Sequence, residues 1–150
     1  MRKLALLFVL ALLVGVSLDA RPAHAVAQFQ AVFLKEYITD HKDKDFAKYV
    51  KTKVRCHICH QGKSVTQKNV HHNAYGKHLI DLLDAEKDKK DVEKIKAALE
   101  KVGKMHSDPK DDKSPTYAEL ILKSELPGGK LEDLKKQPED EKKEGEEKPK

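Results

Sequence analysis

Both cysteines of the chain fall within one short run, Cys56-His57-Ile58-Cys59-His60. Two thiols three positions apart share one side of a helical turn, and the imidazole directly after the second projects beside them. With no other cysteine in the sequence, a stapling disulfide to a distant segment is ruled out. The fold must instead present this turn to whatever its sulfurs and nitrogen hold.

Around the run, apolar residues recur at helical spacing. Phe29, Phe33 and Tyr37 lie four residues apart, and Phe46, Val50 and Val54 repeat the pattern on the way into Cys56. Gln61 to Asn69 is polar, contains Gly62 and reads as loop, after which Asn73 caps a helix carrying Leu79, Ile80, Leu82 and Leu83. Val92, Ile95, Leu99 and Val102 form a further stripe that ends near Gly103. Beyond the His106–Lys113 loop, Ser114-Pro115 is expected to open a last helix with Tyr117, Leu120 and Ile121, stopped by Pro127-Gly128-Gly129. No stretch alternates apolar and polar residues with β-branched enrichment. The expected class is all-α, with four to five short helices and no internal repeat.

The two ends read differently. Met1–Lys3 is positive, Leu4–Leu18 is apolar, and Ala23-His24-Ala25 is a small-x-small cleavage pattern, the three regions of a secretory signal peptide cut after Ala25. The apolar run is shorter than the roughly 20 residues a membrane span needs, so no stable span is expected after removal of the signal. Residues 127–150 read as a charged, mostly disordered tail, because from Gln137 onward no large apolar residue offsets the entropy of ordering. One domain, residues 26–126, remains between them.

Composition then narrows function. The formal net charge is +5, but removal of residues 1–25 leaves Arg55 as the sole arginine, and the lysines alternate with acids. Nucleic acid is therefore not expected as a partner, since phosphate and guanine are read best by arginine forks. No Gly-rich phosphate loop follows a strand, and Ser64, Ser107, Ser114 and Ser124 stand in polar or capping contexts without a nucleophile's partners. Trp is absent and aromatics make up 5% of the chain, so the core is thin unless something else fills it.

Cys56-x-x-Cys59-His60 matches the attachment sequence for c-type haem. The two sulfurs are spaced for thioether bonds to the two vinyl groups of one porphyrin, and His60 is placed to supply an iron ligand. His57 and Ile58 take the variable positions, with His57 expected to point outward. On these residues, and more loosely over 27–126, the chain resembles the small exported monohaem c-type cytochromes. The resemblance implies helices packed around one covalent haem c, with Cys56 and Cys59 as its thioether links and His60 as the proximal iron ligand. It further implies a periplasmic or secreted electron carrier, not an enzyme, passing single electrons between redox proteins. Lys63, Lys68 and Lys77 would orient acidic docking surfaces. Peroxidase-like or gas-binding chemistry would follow only from an open sixth iron position.

The sequence lacks a Pro/Gly-flanked Met loop for that position. Met105, at the end of the Val92–Gly103 stripe, is the candidate distal ligand, with His78 the alternative and His71, His72 and His106 behind it. Phe33, Tyr37, Leu79, Leu83, Leu99 and Tyr117 are the expected porphyrin contacts. A tightly held cofactor would also stabilise so modest a core, so the haem-free chain is expected to fold poorly. Two rivals use the same cysteines. Cys56, Cys59, His72 and His78 have a Cys2His2 zinc spacing, but Val65 and Val70 are too little for the miniature core such a module needs. A thiol–disulfide catalyst lacks the βαβ surroundings expected of it.

Overall fold

The computed structural model describes residues 24–63 and 71–138. The signal-peptide reading of residues 1–23, the 64–70 segment with Lys68, and residues 139–150 of the expected tail lie outside them. No helix among the described residues is long and apolar enough to cross a membrane.

The described residues are mostly helical. Helix α1, His24–Phe33, runs without a break into a wider π turn, Leu34–Ile38, which places Ile38 fully inside the core. Helix α2, Lys44–Tyr49, begins at Asp43, whose carboxylate accepts from the Phe46 amide at 2.9 Å, and it too widens into a π turn, Val50–Val54. A 3-10 turn, Arg55–Ile58, follows. The antiparallel pair β1, His60–Gln61, and β2, His71–His72, sets His60 opposite His72 and Gln61 opposite His71. Helices α3, Ala74–Ile80, α4, Val92–Gly103, α5, Tyr117–Leu122, and α6, Leu131–Leu134, complete the order.

Helix α4 is the hub, packing against α1, α3 and α5. Its apolar stripe explains why: Ile95, Leu99 and Val102 are all buried, while Val92, at the first turn, is exposed. Burial of each such side chain stabilises the fold by about 1.5–3 kcal/mol. Phe33, Tyr75 and Tyr117 stack edge to face through the middle, with ring centres 6.0 and 5.2 Å apart. Tyr37 donates to the Leu99 carbonyl at 3.0 Å, and Gly103 leaves room for its ring.

Two expected boundaries move. Ser114 does not cap α5. Thr116 does, in a reciprocal capping box with Glu119, because Pro115 is drawn into the bridge that joins His106 to Thr116 and accepts from the Ser107 amide. The stretch after Pro127 is also not all tail. Leu131 and Leu134 are 5% and 3% exposed, and the Leu134 carbonyl accepts from the Gly62 amide at 2.8 Å. That hydrogen bond ties α6 to the end of β1.

Candidate haem attachment site

The approach to Cys56 is bent at Arg55, whose φ of +48° is unusual for a residue with a side chain and costs about 1–3 kcal/mol. The bend ends the π turn and starts the tight 3-10 turn that carries Cys56. The Cys59 amide closes it on the Cys56 carbonyl at 3.2 Å.

Asn73 fastens this turn to α3. Its side-chain amide donates to the carbonyls of His57 and Ile58, both at 3.0 Å, and its side-chain oxygen accepts from the Gly76 amide at 2.9 Å. Its own backbone amide donates to the Cys59 carbonyl at 3.0 Å. Gly76 stands so close that any Cβ there would overlap the Cys59 carbonyl. Gly128 presses on Asn73 from the C-terminal segment in the same way. The sequence marks Asn73 only as a helix cap. Its second role needs the turn brought against it, which no local pattern reveals.

The reactive groups are spread across this frame. Cys56 and Cys59 are free thiols, each half-buried. Burial, and to a lesser degree the neighbouring Cys56, pushes the Cys59 thiol up to about 12. His60 is 8% exposed, and burial, with the His72 ring beside it, lowers its pKa to about 4. Its imidazole is therefore neutral at pH 7, the state that binds metal. The Nδ1 atom of His60 is buried and has no hydrogen-bond partner among the described residues. His57 does not point freely to solvent as expected. It is half-buried, and its Nε2 donates to the Gly62 carbonyl at 3.2 Å.

Cys56, Cys59 and His60 all line one apolar cleft with a cavity of about 110 Å³. Phe29 and Phe33 come to it from α1, Leu79 and Leu83 from α3 and its exit, and Ile95 and Leu99 from α4. Four of the expected porphyrin contacts are thus at the cleft. Tyr37 and Tyr117 are not; they belong to the aromatic core beside it. Two thiols and a neutral imidazole at one apolar cleft are the donor types that a covalent haem would need.

Met105 and His78, the first candidates for the sixth ligand, lie elsewhere. Met105 is 37% exposed and, with His78, lines a second depression shared with His106, Asp108 and Asp112. Two hydrogen bonds hold it there, its amide to the Val102 carbonyl and its carbonyl to the Tyr117 amide, both at 3.0 Å. His78 packs on the Tyr117 ring, with centres 5.9 Å apart. The four zinc-spaced residues are not gathered either. No group of three or more His, Cys, Asp or Glu among the described residues is placed to hold a metal ion.

His72 does line the cleft, but on the His60 side. The two residues face each other in register, and their ring centres are 4.7 Å apart. Imidazoles on opposite faces of one metal ion would have centres roughly 6 Å apart, from two metal–nitrogen bonds of about 2 Å each plus the ring radii. Their backbones would lie much farther apart than those of adjacent strands. The His72 ring thus lies beside that of His60 and is not placed to face it across a metal ion.

No family model, curated protein or solved structure matches the chain.

Proposed function

We propose that the chain is an exported monohaem c-type cytochrome that carries single electrons between redox proteins. The observation that carries this reading is the convergence of both thiols and the neutral His60 imidazole on one apolar cleft. When bound, a haem supplies one-electron chemistry at its iron.

The chain's own residues do the rest. Cys56 and Cys59 would hold the porphyrin and His60 would ligate its iron, while Asn73 fixes the turn that leads through the cysteines. Phe33, Leu79, Leu83 and Leu99 exclude water from the cleft, which disfavours the more highly charged state of whatever lies within it. Lys63 and Lys77, both exposed, flank this region in sequence and suit acidic docking partners.

The test is expression with a haem-c maturation system in the periplasm of a bacterial host. The expected product is coloured, with a Soret band that survives acid–acetone extraction and a mass above that of the processed polypeptide. Cys56→Ala/Cys59→Ala should be colourless after the same extraction. A colourless wild-type protein of polypeptide mass alone overturns the reading.

A further inference from the structure

The stretch after Pro127 grips the cysteine turn on both sides. Gly128 lies so close to the Asn73 side chain that a Cβ there would overlap its amide. Asn73 in turn donates to the carbonyls of His57, Ile58 and Cys59. On the other side of the turn, the Leu134 carbonyl accepts from the Gly62 amide at 2.8 Å, and the Gly62 carbonyl accepts from His57 at 3.2 Å.

The same stretch is itself lightly held. From Gly128 to Gln137 only Leu131 and Leu134 are buried, while Lys130, Glu132, Asp133, Lys135 and Lys136 are exposed. Helix α6 is a single turn, and Lys130 at its start gives no side-chain cap. Gly129 stands at a φ of +105° with open space where a Cβ would lie, a conformation that suits a hinge. Two buried leucines offset little of the entropy of ordering such a segment. Segments with so few buried contacts open before the rest of a fold does.

We propose that Gly128–Gln137 is a latch that opens while the helical core stays folded, and that its opening governs when the Cys59 thiol reacts. Opening removes the Gly62 anchor and the backing of Asn73 together, so both holds on the turn slacken in one event. The proposal does not rest on the haem reading, because it concerns access to the sulfur and not what the sulfur bonds to.

The experiment uses the full chain with both thiols free. Native-state hydrogen exchange should find the amides of Cys59, Gly62, Asn73, Leu134 and Lys135 opening together, at lower guanidinium than those of Ile95 and Leu99. Iodoacetamide then reads the thiol, as the sulfur displaces iodide and its proton passes to solvent. In Leu131→Ser/Leu134→Ser, Cys59 should be alkylated roughly tenfold or more faster than in the wild type, with the α4 amides still protected. Cys59 and Asn73 amides that open only together with Ile95 overturn the proposal. So does an unchanged Cys59 rate in a variant whose α6 amides have lost protection. If that variant unfolds as a whole, the exchange pattern of the wild type decides, and a wild type without protected amides also counts against the latch.

Discussion

The α-carbon of Gly76 lies against the carbonyl of Cys59, so that the helix carrying Tyr75 and Leu79 meets the cysteine turn backbone to backbone. A methyl group at position 76 would have to displace main chain, not the end of a flexible side chain. Overpacking of this kind costs about 1–3 kcal/mol. Gly76→Ala should lower the denaturation midpoint of the matured protein accordingly and reduce the yield of haem-loaded chain. An unchanged midpoint in guanidinium would mean that α3 does not pack on the turn as described.

Asn73 makes a sharper test because its two functions separate chemically. Aspartate retains the oxygen that accepts from Gly76 but cannot donate to the His57 and Ile58 carbonyls. Alanine loses both. Removing a cap costs about 1 kcal/mol, and leaving buried carbonyls unpaired adds roughly 1–3 kcal/mol. Stability should therefore fall in the order Asn73, Asn73→Asp, Asn73→Ala, as measured by urea unfolding. Equal stability for the aspartate variant and the wild type would show that the clamp contributes nothing beyond the cap.

These two residues also mark how far the sequence can be read. The stripes of α2 and α4 were legible because Phe46, Val50, Ile95 and Leu99 face one core at the spacing a helix imposes. Cys56, Cys59 and His60 were legible because their chemistry depends on adjacency along the chain. The His60–His72 pairing was not, since strands of two residues carry no periodicity to detect. Leu131 and Leu134 were hidden among charges, where two leucines look incidental until the Gly62 amide is seen to anchor their turn. Met105 ends a well-predicted helix, yet where its sulfur faces depends on how Tyr117 folds back onto its carbonyl, a contact between separate elements.

Acid should unfold the haem-free chain through His60. Burial holds its pKa at about 4, against 6.5 for an exposed histidine, and His72 is lowered in the same direction, chiefly by burial. The folded state thus binds fewer protons than the unfolded state below neutrality. The stability from a neutral His60 is complete above pH 6.5 and is lost as the pH falls from there toward 4. For so modest a core the loss, on the order of 2–3 kcal/mol, is decisive. Helical circular dichroism of Cys56→Ala/Cys59→Ala should decline across that window, and a further His60→Leu change should flatten the decline. A signal unchanged from pH 7 to 4 would contradict the burial of the ring.

The two thiols should differ in reactivity in the chain without a cofactor. Cys59 is held far above the ordinary thiol range by burial, so almost none of it is thiolate at pH 8. Cys56 lies at the cleft wall beside exposed Arg55. Brief treatment of the unloaded chain with iodoacetamide, followed by peptide mass spectrometry, should find Cys56 modified roughly tenfold or more faster than Cys59. Equal rates would contradict the burial of Cys59 in the unloaded chain.

Lys77 lies close enough to His72 for its charge to depress that imidazole, which puts a cation beside the β1–β2 pair. Lys63, exposed just after Gly62, adds a second. Such charges act through diffusional encounter, and salt screens them within about 10 Å at 0.1 M ionic strength. Oxidation of the reduced protein by an anionic complex such as ferricyanide should be faster at low salt than at high salt. Lys63→Glu/Lys77→Glu should slow it several-fold at 10 mM ionic strength and leave it nearly unchanged at 0.5 M. A cationic oxidant should show the reverse response. If both reagents ignore the substitutions at low salt, the proposed electron transfer does not pass by the ribbon that carries His60.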